Sequence, residues 1–441
     1  MSAQRARTTL ETTRQLQRTL YRAAKASPAR RFHALYDKVY REDILARAWQ
    51  EVKANAGVAG VDAQTIEHIE QQGVAGFLAK LAIDLQEECY HPRAVRRVRI
   101  PKPDGKQRPL GIPTVRDRVA QAAAKLVLEP IFEARFRNSS YGFRPKRSAH
   151  QAMEQVRQGV NHGANWIVEI DIEAFYDRID HELLMRLVED RVCDRRMLKL
   201  LRQWLNAGVL DDGKTLPTDQ GVPQGGVISC VLANVVLHEL DRLWEDRCSQ
   251  LGQLIRYADD AVLLCRTEAQ AREALWRVGV ILDRLKLTLH PTKTQMVSVG
   301  NGQQGFDFLG FHCRKVESWK YRGYRYLQFW PGRQAMQRLR DRIKAITAPR
   351  HSLPEPIEHI VGAVNRVVRG WGAYFRVGNS AHKFNVVDHY IHERLARFMA
   401  NKTGWKGIQR DRFSLEFFTK LGVYWLTGTV KWYTAAPTVT R

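Results

Sequence analysis

Cysteine is scarce in this chain. Its six cysteines among 441 residues (Cys89, Cys193, Cys230, Cys248, Cys265 and Cys313) form no Cys-x-x-Cys pair, so their spacing supports neither a zinc module nor a disulfide framework. They read as small buried hydrophobes in a reducing compartment. Long apolar runs are missing too: "MSAQRARTTLETTRQLQRTL" has no apolar core of signal-peptide length, and nothing later approaches the ~18 uninterrupted apolar residues of a membrane span. The expectation is a soluble, cytoplasmic protein with no membrane partner. No internal repeat or low-complexity tract stands out. Acidic residues are in short supply, with Asp+Glu 46 against Lys+Arg 70 and a formal net charge of +24. The excess is spread along the whole length, which favours an extended polyanion, nucleic acid before membrane, through distributed phosphate contacts and counterion release.

Apolar residues make up 44% of the chain, enough to fill cores, and its length suggests two or three units. Residues 8 to about 53 read as helical, with Leu10, Leu16, Leu20, Phe32, Leu35, Val39, Ile44, Leu45 and Trp49 at helical spacing between arginines. After "NAGVAGVD" a further helical piece runs to about Cys89, and "YHPRAVRRVRIPKPDGKQRPLGIP" reads as two extended segments around a Pro-Asp-Gly turn. Residues 114 to 136 are helical again, and Ser148 is placed to cap "AHQAMEQVRQGV". A buried strand, "WIVEIDI", precedes a helix capped by Asp180, and the Gly-rich turn "TDQGVPQGGVIS" leads into the core helix "CVLANVVLHELDRLW". Then come a hairpin, a helix over 269 to 287, the turn "HPTKT", a strand "QMVSVG" and the aromatic stretch "FDFLGF". Beyond Arg333 three amphipathic helices fit, the first with a Met336, Leu339, Ile343, Ile346 stripe and with Arg338, Arg340, Arg342 and Lys344 on other faces; the others span about 355 to 378 and 382 to 401.

Within the hairpin "IRYADDAVLLC", the apolar runs flank Asp259 and Asp260, which places both at the tip. Alone, such a pair reads as a solvated turn. A second carboxylate sits in a worse place, because Asp171 interrupts the apolar strand "WIVEIDI", where an unpaired charge is costly. Setting that strand beside the hairpin brings the three aspartates together, a donor set able to hold two Mg²⁺ ions about 3.5–4 Å apart. The alternative is an Asp171–Arg ion pair beside an unrelated turn.

Tyr257-Ala258-Asp259-Asp260 matches the Tyr-x-Asp-Asp signature of reverse transcriptases, and the chain resembles the reverse transcriptase/maturase proteins encoded by bacterial group II introns. The resemblance runs in order through "RRVRIPKPDGKQRPLGIPTVRDRVAQAA", "SSYGFRPKRSAH", "WIVEIDIEAFYDRIDHELL", "GVPQGGVISCVLANVVLHELD", "RYADD", "HPTKT" and "FLGF", and continues into "RVVRGWGAYF". It implies an α+β fold: a right-hand polymerase, with fingers and a palm built on a small antiparallel sheet, then an all-helical thumb/maturase bundle. The divisions expected are a basic helical extension with the start of the fingers (1–90), fingers and palm (91–318), thumb/maturase (330–402) and an aromatic, basic tail (403–441).

The resemblance also assigns roles. Asp171, Asp259 and Asp260 become the catalytic residues, and Asp171, Ile172, Asp259 and Asp260 the positions holding two Mg²⁺ ions. Lys102 and Arg108 flank the Pro-Asp-Gly hairpin within reach of a dNTP triphosphate, Arg offering a fork to phosphate oxygens. Phe175 matches an aromatic wall that excludes a 2′-hydroxyl, with core packing as its other reading. Gln224 matches a nucleotide-contacting glutamine beside Gly225 and Gly226, and Lys293 resembles a nucleotide-site lysine. Two departures stand out. Cys230 replaces the usual Pro before "LLAN", here "VLAN", and nothing after about residue 405 has metal-ligand spacing, which implies the endonuclease-lacking type. The function implied is RNA-directed DNA polymerisation combined with binding of the chain's own intron RNA to promote splicing and retrohoming. Its partners would be that RNA, an RNA template with DNA primer, and target DNA, within a cytoplasmic ribonucleoprotein. A domesticated reverse transcriptase, as in phage defence or CRISPR systems, and a splicing-only maturase are the alternatives.

Overall fold

The computed structural model describes residues 3–101, 107–348, 352–405 and 411–431. Its N-terminal region is helical but interrupted. α1 (Ala3–Ala26) stops two residues before Pro28, and an extended segment bridges Phe32 to Val192 before α2 (Tyr36–Val39) and α3 (Glu42–Ala54). The stretch from 8 to about 53 that reads as helical is therefore three helices with an extended break between the first two. Proline cannot supply the N–H that a continued helix needs, and the Asp194 carboxylate accepts from the Leu35 and Tyr36 amides, both at 2.8 Å, fixing the new start.

α4 (Ile66–Gln72) and α5 (Val74–Gln86) lead to the expected hairpin of β1 (Val95–Pro101) and β2 (Gln107–Ile112), paired from Arg96↔Ile112 to Pro101↔Gln107. Lys102, next in the chain after β1, lies outside the described residues. α6 (Val115–Glu133) follows, then α7 (Ala149–Asn161), capped by Ser148 as read from the sequence, with Gln151 completing the capping box by accepting from the Ser148 amide. β3 (Trp166–Ile170) and α8 (Phe175–Arg178) precede α9 (His181–Glu189), whose cap Asp180 accepts from Leu183 N at 2.8 Å. After α10 (Arg195–Leu205) comes a hairpin not foreseen, β4 (Val209–Asp211) and β5 (Lys214–Leu216), joined by a two-residue Asp-Gly turn. β4 runs parallel to β1, giving a four-stranded sheet in the order β2-β1-β4-β5.

α11 (Ser229–Arg247), β6 (Gln253–Tyr257), β7 (Asp260–Cys265), α12 (Glu268–Arg284) and β8 (Gln295–Ser298) complete the palm, an antiparallel sheet in the order β6-β7-β3-β8. Both of its faces are buried. Val168, Ile170, Leu254, Ala261 and Leu263 enter a core shared with the fingers and palm helices, while Ile167, Ile255, Val262, Leu264 and Val297 enter a second core with the C-terminal part. This two-sided burial is why "VLLC" is apolar without alternation.

β9 (Gly305–Phe308), β10 (Phe311–Glu317) and β11 (Arg325–Pro331) form a three-stranded antiparallel sheet that includes "FDFLGF" and extends well beyond it. α13 (Arg333–Thr347), α14 (Ile357–Phe375) and α15 (Ala381–Lys402) are the expected bundle, with Met336, Leu339 and Ile343 buried and Ile346 partly so. Residues 411–431 of the last segment pack onto the bundle. They carry α16 (Leu415–Lys420) and bury Phe413, Phe418 and Leu426 in the bundle core, and the Asp388 carboxylate accepts from the Leu426 and Thr427 amides at 2.8 Å each. All six cysteines are free; Cys248, Cys265 and Cys313 are buried, whereas Cys89 is exposed, against the sequence reading. Among the described residues no helix is long and apolar enough to cross a membrane.

Candidate active site

The β6–β7 register pairs Tyr257 with Asp260, so only Ala258 and Asp259 form the turn. Asp260 is therefore the first residue of β7, a correction to the reading that put both aspartates at the tip. Ala258 adopts a left-handed backbone at φ 57°, which costs a non-glycine residue roughly 1–2 kcal/mol. Surrounding structure holds it there. The buried Arg256 guanidinium has five N–H donors and makes five bonds: two to Asp241 (2.8 and 2.5 Å), and one each to Asn234 Oδ1 (3.1 Å), Ser140 Oγ (2.8 Å) and the Ala258 carbonyl (2.8 Å). From the other side Gly142 lies against the turn, where an added Cβ would meet Ala258 N at 2.2 Å, and its carbonyl accepts from Asn234 Nδ2 at 2.9 Å.

β3 lies between β7 and β8, in the register Ile170↔Ala261, and one further step along it sets Asp171 beside Asp260. The Asp171 backbone carbonyl accepts from His290 N at 2.8 Å, and Lys293 Nζ donates to Asp171 Oδ2 at 3.3 Å. Ile172 is buried and bridges Leu289, so only its backbone carbonyl could serve a cation. Electrostatics show the convergence of the three acids. Burial pushes Asp259 above the usual carboxylate range, with the Asp171 charge adding to it and Arg108 and Arg256 opposing. Burial, then Asp259, then Asp171, push Asp260 up to about 6, with Arg108 and Lys293 pulling the other way. Among the described residues no three side chains already form a metal clasp. The donors do fit hard cations, being three carboxylates and a backbone carbonyl, all oxygen ligands.

The remaining predicted residues separate. Arg108 sits on β2 opposite Ile100, close enough to stabilise the ionised forms of both Asp259 and Asp260. The Gln224 carbonyl accepts from Gly111 N at 2.7 Å, and Gly225, at φ 117°, leaves no room for a Cβ beside the Gly111 carbonyl, so this loop is pinned to the strand carrying Arg108. Phe175 is 3% exposed, packed in the core and edge-on to Tyr176 at 5.3 Å. Cys230 lies in the first turn of an unbroken α11, its half-buried thiol close to the Tyr176 hydroxyl. A cleft of about 860 Å³ opens where Asp171, Asp260 and Lys293 face the Leu309-Gly310 turn, Arg338 on α13 and Tyr374 on α14; neither Phe175 nor Gln224 lines it. Arg256, Asp241, Asn234 and Gly142 escaped the sequence reading. The signal was present for one of them, since Arg256 interrupts an apolar strand just as Asp171 does.

Residues 100–313 match the family model described as "Reverse transcriptase (RNA-dependent DNA polymerase)", and residues 336–415 match "Group II intron, maturase-specific domain". Protein YkfC of Escherichia coli (strain K12) is 35% identical over 344 residues, covering 69% of this chain and 89% of YkfC. The chain belongs to the group II intron reverse transcriptase/maturase family. Within that family, the group II intron-encoded protein LtrA of Lactococcus lactis subsp. cremoris is 38% identical over 214 residues, 48% of this chain and 35% of LtrA. A protein named "Uncharacterized 91 kDa protein in cob intron" from Schizosaccharomyces pombe is 26% identical over 426 residues, 80% of this chain and 52% of its own. This reverse transcriptase/maturase is thus an RNA-directed DNA polymerase with palm, fingers and a helical maturase part in one chain.

Proposed function

We propose that this polymerase copies RNA into DNA at Asp171, Asp259 and Asp260 and that the same chain grips its own intron RNA to promote splicing and retrohoming. The observation that carries the reading is the cleft itself, where palm acids Asp171 and Asp260 face Arg338 and Tyr374 of the maturase helices. Two Mg²⁺ ions held by the three carboxylates and the Ile172 carbonyl would supply activation of a primer hydroxyl and charge neutralisation on the leaving pyrophosphate. The chain's own groups do the rest. Lys102 and Arg108 take the dNTP triphosphate, and Lys293, now on Asp171, is available to the incoming nucleotide once that carboxylate turns to a cation. The Gln224 loop backs the base and sugar, and Phe175 underlies the sugar from the core. Exposed Arg338, Arg342 and Lys344 on α13 give the phosphate backbone distributed charge. The working complex is a cytoplasmic ribonucleoprotein with intron RNA, an RNA template annealed to a DNA primer, and target DNA.

Splicing needs only that the folded intron be held, whereas polymerisation needs the acids. Replacing Asp259 and Asp260 together by Asn should abolish primer extension while intron excision at low salt persists. Changing Arg338, Arg342 and Lys344 to Ala should weaken excision and RNA affinity at moderate salt. A wild-type chain that extends primers well but promotes excision of no neighbouring intron would turn the reading to a domesticated polymerase.

A further inference from the structure

Three large side chains stand exposed within six residues at the end of the β10–β11 hairpin: Trp319 at 94%, Tyr321 at 59% and Tyr324 at 54%. They belong to neither core. The loop beneath them is built, not slack: Ser318 Oγ accepts from the Lys320 and Tyr321 amides (3.2 and 3.1 Å), Ser318 N donates to the Tyr324 carbonyl (2.7 Å), and Tyr324 N donates to the Tyr321 carbonyl (3.1 Å). Tyr324 and Tyr326 lie nearly parallel, 14° apart at 6.4 Å, on either side of the first residue of β11. Cations are interleaved with the rings. Lys320 stands 5.4 Å from the Tyr321 ring, and Arg322 and Arg325 follow, while the one acid, Glu317, is engaged by Gly323 N at 3.0 Å and by Arg325 at 3.9 Å.

We propose that this hairpin tip is a stacking platform for single-stranded RNA, distinct from the polymerase cleft and resting on the reading that the chain binds RNA. Unpaired bases present π faces that stack on exposed rings, and the backbone beside them needs cations; a duplex hides those faces. A protein partner would call for a contiguous apolar surface, but here basic residues separate the rings. The loop's internal hydrogen bonds mean that little ordering cost is charged to binding. Placement agrees: β10 leads from the Leu309-Gly310 turn that lines the cleft to the tip, and at ~3.3 Å per residue its seven residues carry the platform roughly 20 Å outward, where a strand entering or leaving the site would pass.

The test compares the full chain with a Trp319→Ala/Tyr321→Ala/Tyr324→Ala variant, titrated against a short unstructured RNA and a blunt RNA duplex over a salt series. Single-strand affinity should fall about tenfold or more, the loss expected for one or two stacked bases, with duplex affinity unchanged and an unchanged salt slope because no cation has been removed. Trp319→Phe/Tyr321→Phe/Tyr324→Phe should retain binding, and ultraviolet crosslinking should attach RNA within residues 318–326. Equal single-strand affinity in wild type and the alanine variant overturns the proposal while leaving RNA binding elsewhere intact. Failure of wild type to bind either RNA sinks the underlying reading as well. Ring-dependent binding to anionic lipid vesicles, with RNA affinity unaffected, would assign the tip to a membrane surface instead and equally overturn it.

Discussion

Removing Arg256 should damage this enzyme in two separable ways. The residue is 1% exposed and its partner Asp241 0%, so Arg256→Met strands a carboxylate in the core, a change that costs about 3–5 kcal/mol when one member of a buried pair is lost. It also removes the donors to Ala258, Asn234 and Ser140. Adding Asp241→Leu takes away the stranded charge, and replacing both members of a buried pair with apolar groups is often neutral or better. The double variant should therefore recover the part of the loss due to the stranded charge, while still falling short of wild type by about 1–3 kcal/mol for each of the three acceptors left buried without a donor. Polymerisation should not return. With the Ala258 carbonyl untethered, the turn holding Asp259 loses the bond that keeps its left-handed backbone in place, so kcat should drop while KM for dNTP moves little. Urea denaturation beside steady-state primer extension reads both quantities on the same preparations. The reasoning fails if the double variant is as unstable as Arg256→Met alone, or if it extends primers at the wild-type rate.

Gly142→Ala should likewise depress extension with the fold retained, since its Cβ would collide with the Ala258 backbone, whereas Gly76→Ala, which meets nothing within 4 Å, should be silent or slightly stabilising in the same assay and in thermal melts. His238, packed 5.5 Å from the Phe136 ring, has its pKa lowered to about 4, chiefly by burial. Unfolded, it takes a proton below ~6.5; folded, it resists until about 4, so stability should fall as pH drops through that window, by up to roughly 3 kcal/mol. Melting temperatures of His238→Gln across the same window should show a shallower acid loss, and an unchanged slope would clear this residue. Arg14, Arg18 and Arg22 repeat every fourth residue on the exposed side of α1; their joint change to Ala should weaken RNA binding and flatten its salt dependence by up to ~0.9 per lost phosphate contact, as read by binding titrations in increasing salt.

Polar residues isolated in apolar patterns made much of the architecture legible before any coordinates. Asp171 inside "WIVEIDI" pointed to the palm strand and its neighbour, and Ser148 and Asp180 announced the helices they cap. Elements whose pattern was blurred by charge went unread. β10 and β11 do alternate buried and exposed positions, but "RKVESWKYRGYRY" between and within them carries so many cations that the period of two is lost. β4 and β5 are three residues each, too short for periodicity, and only Asp212-Gly213 marked their turn. Apolar spacing that happened to continue across Pro28 disguised the break after α1, although the proline itself was the better witness. Asn234 and Asp241 were invisible for a different reason: on a helix buried nearly all round, what a polar residue faces depends on a strand that arrives later in the chain.

The Asp388 clasp on Leu426 and Thr427 has a bearing on where this protein can be divided. The maturase-domain match stops at residue 415, a natural place to cut if sequence borders were structural ones. Packing draws the border elsewhere. Severing the chain there would lift Phe418 and Leu426 out of the core, open the space over Gly372 that Leu426 fills, and leave the Asp388 carboxylate facing a hole in place of two amides. An independent maturase piece should accordingly be sought between Arg333 and about Lys431, and engineering that joins this polymerase to another module does best to leave that final strap untouched.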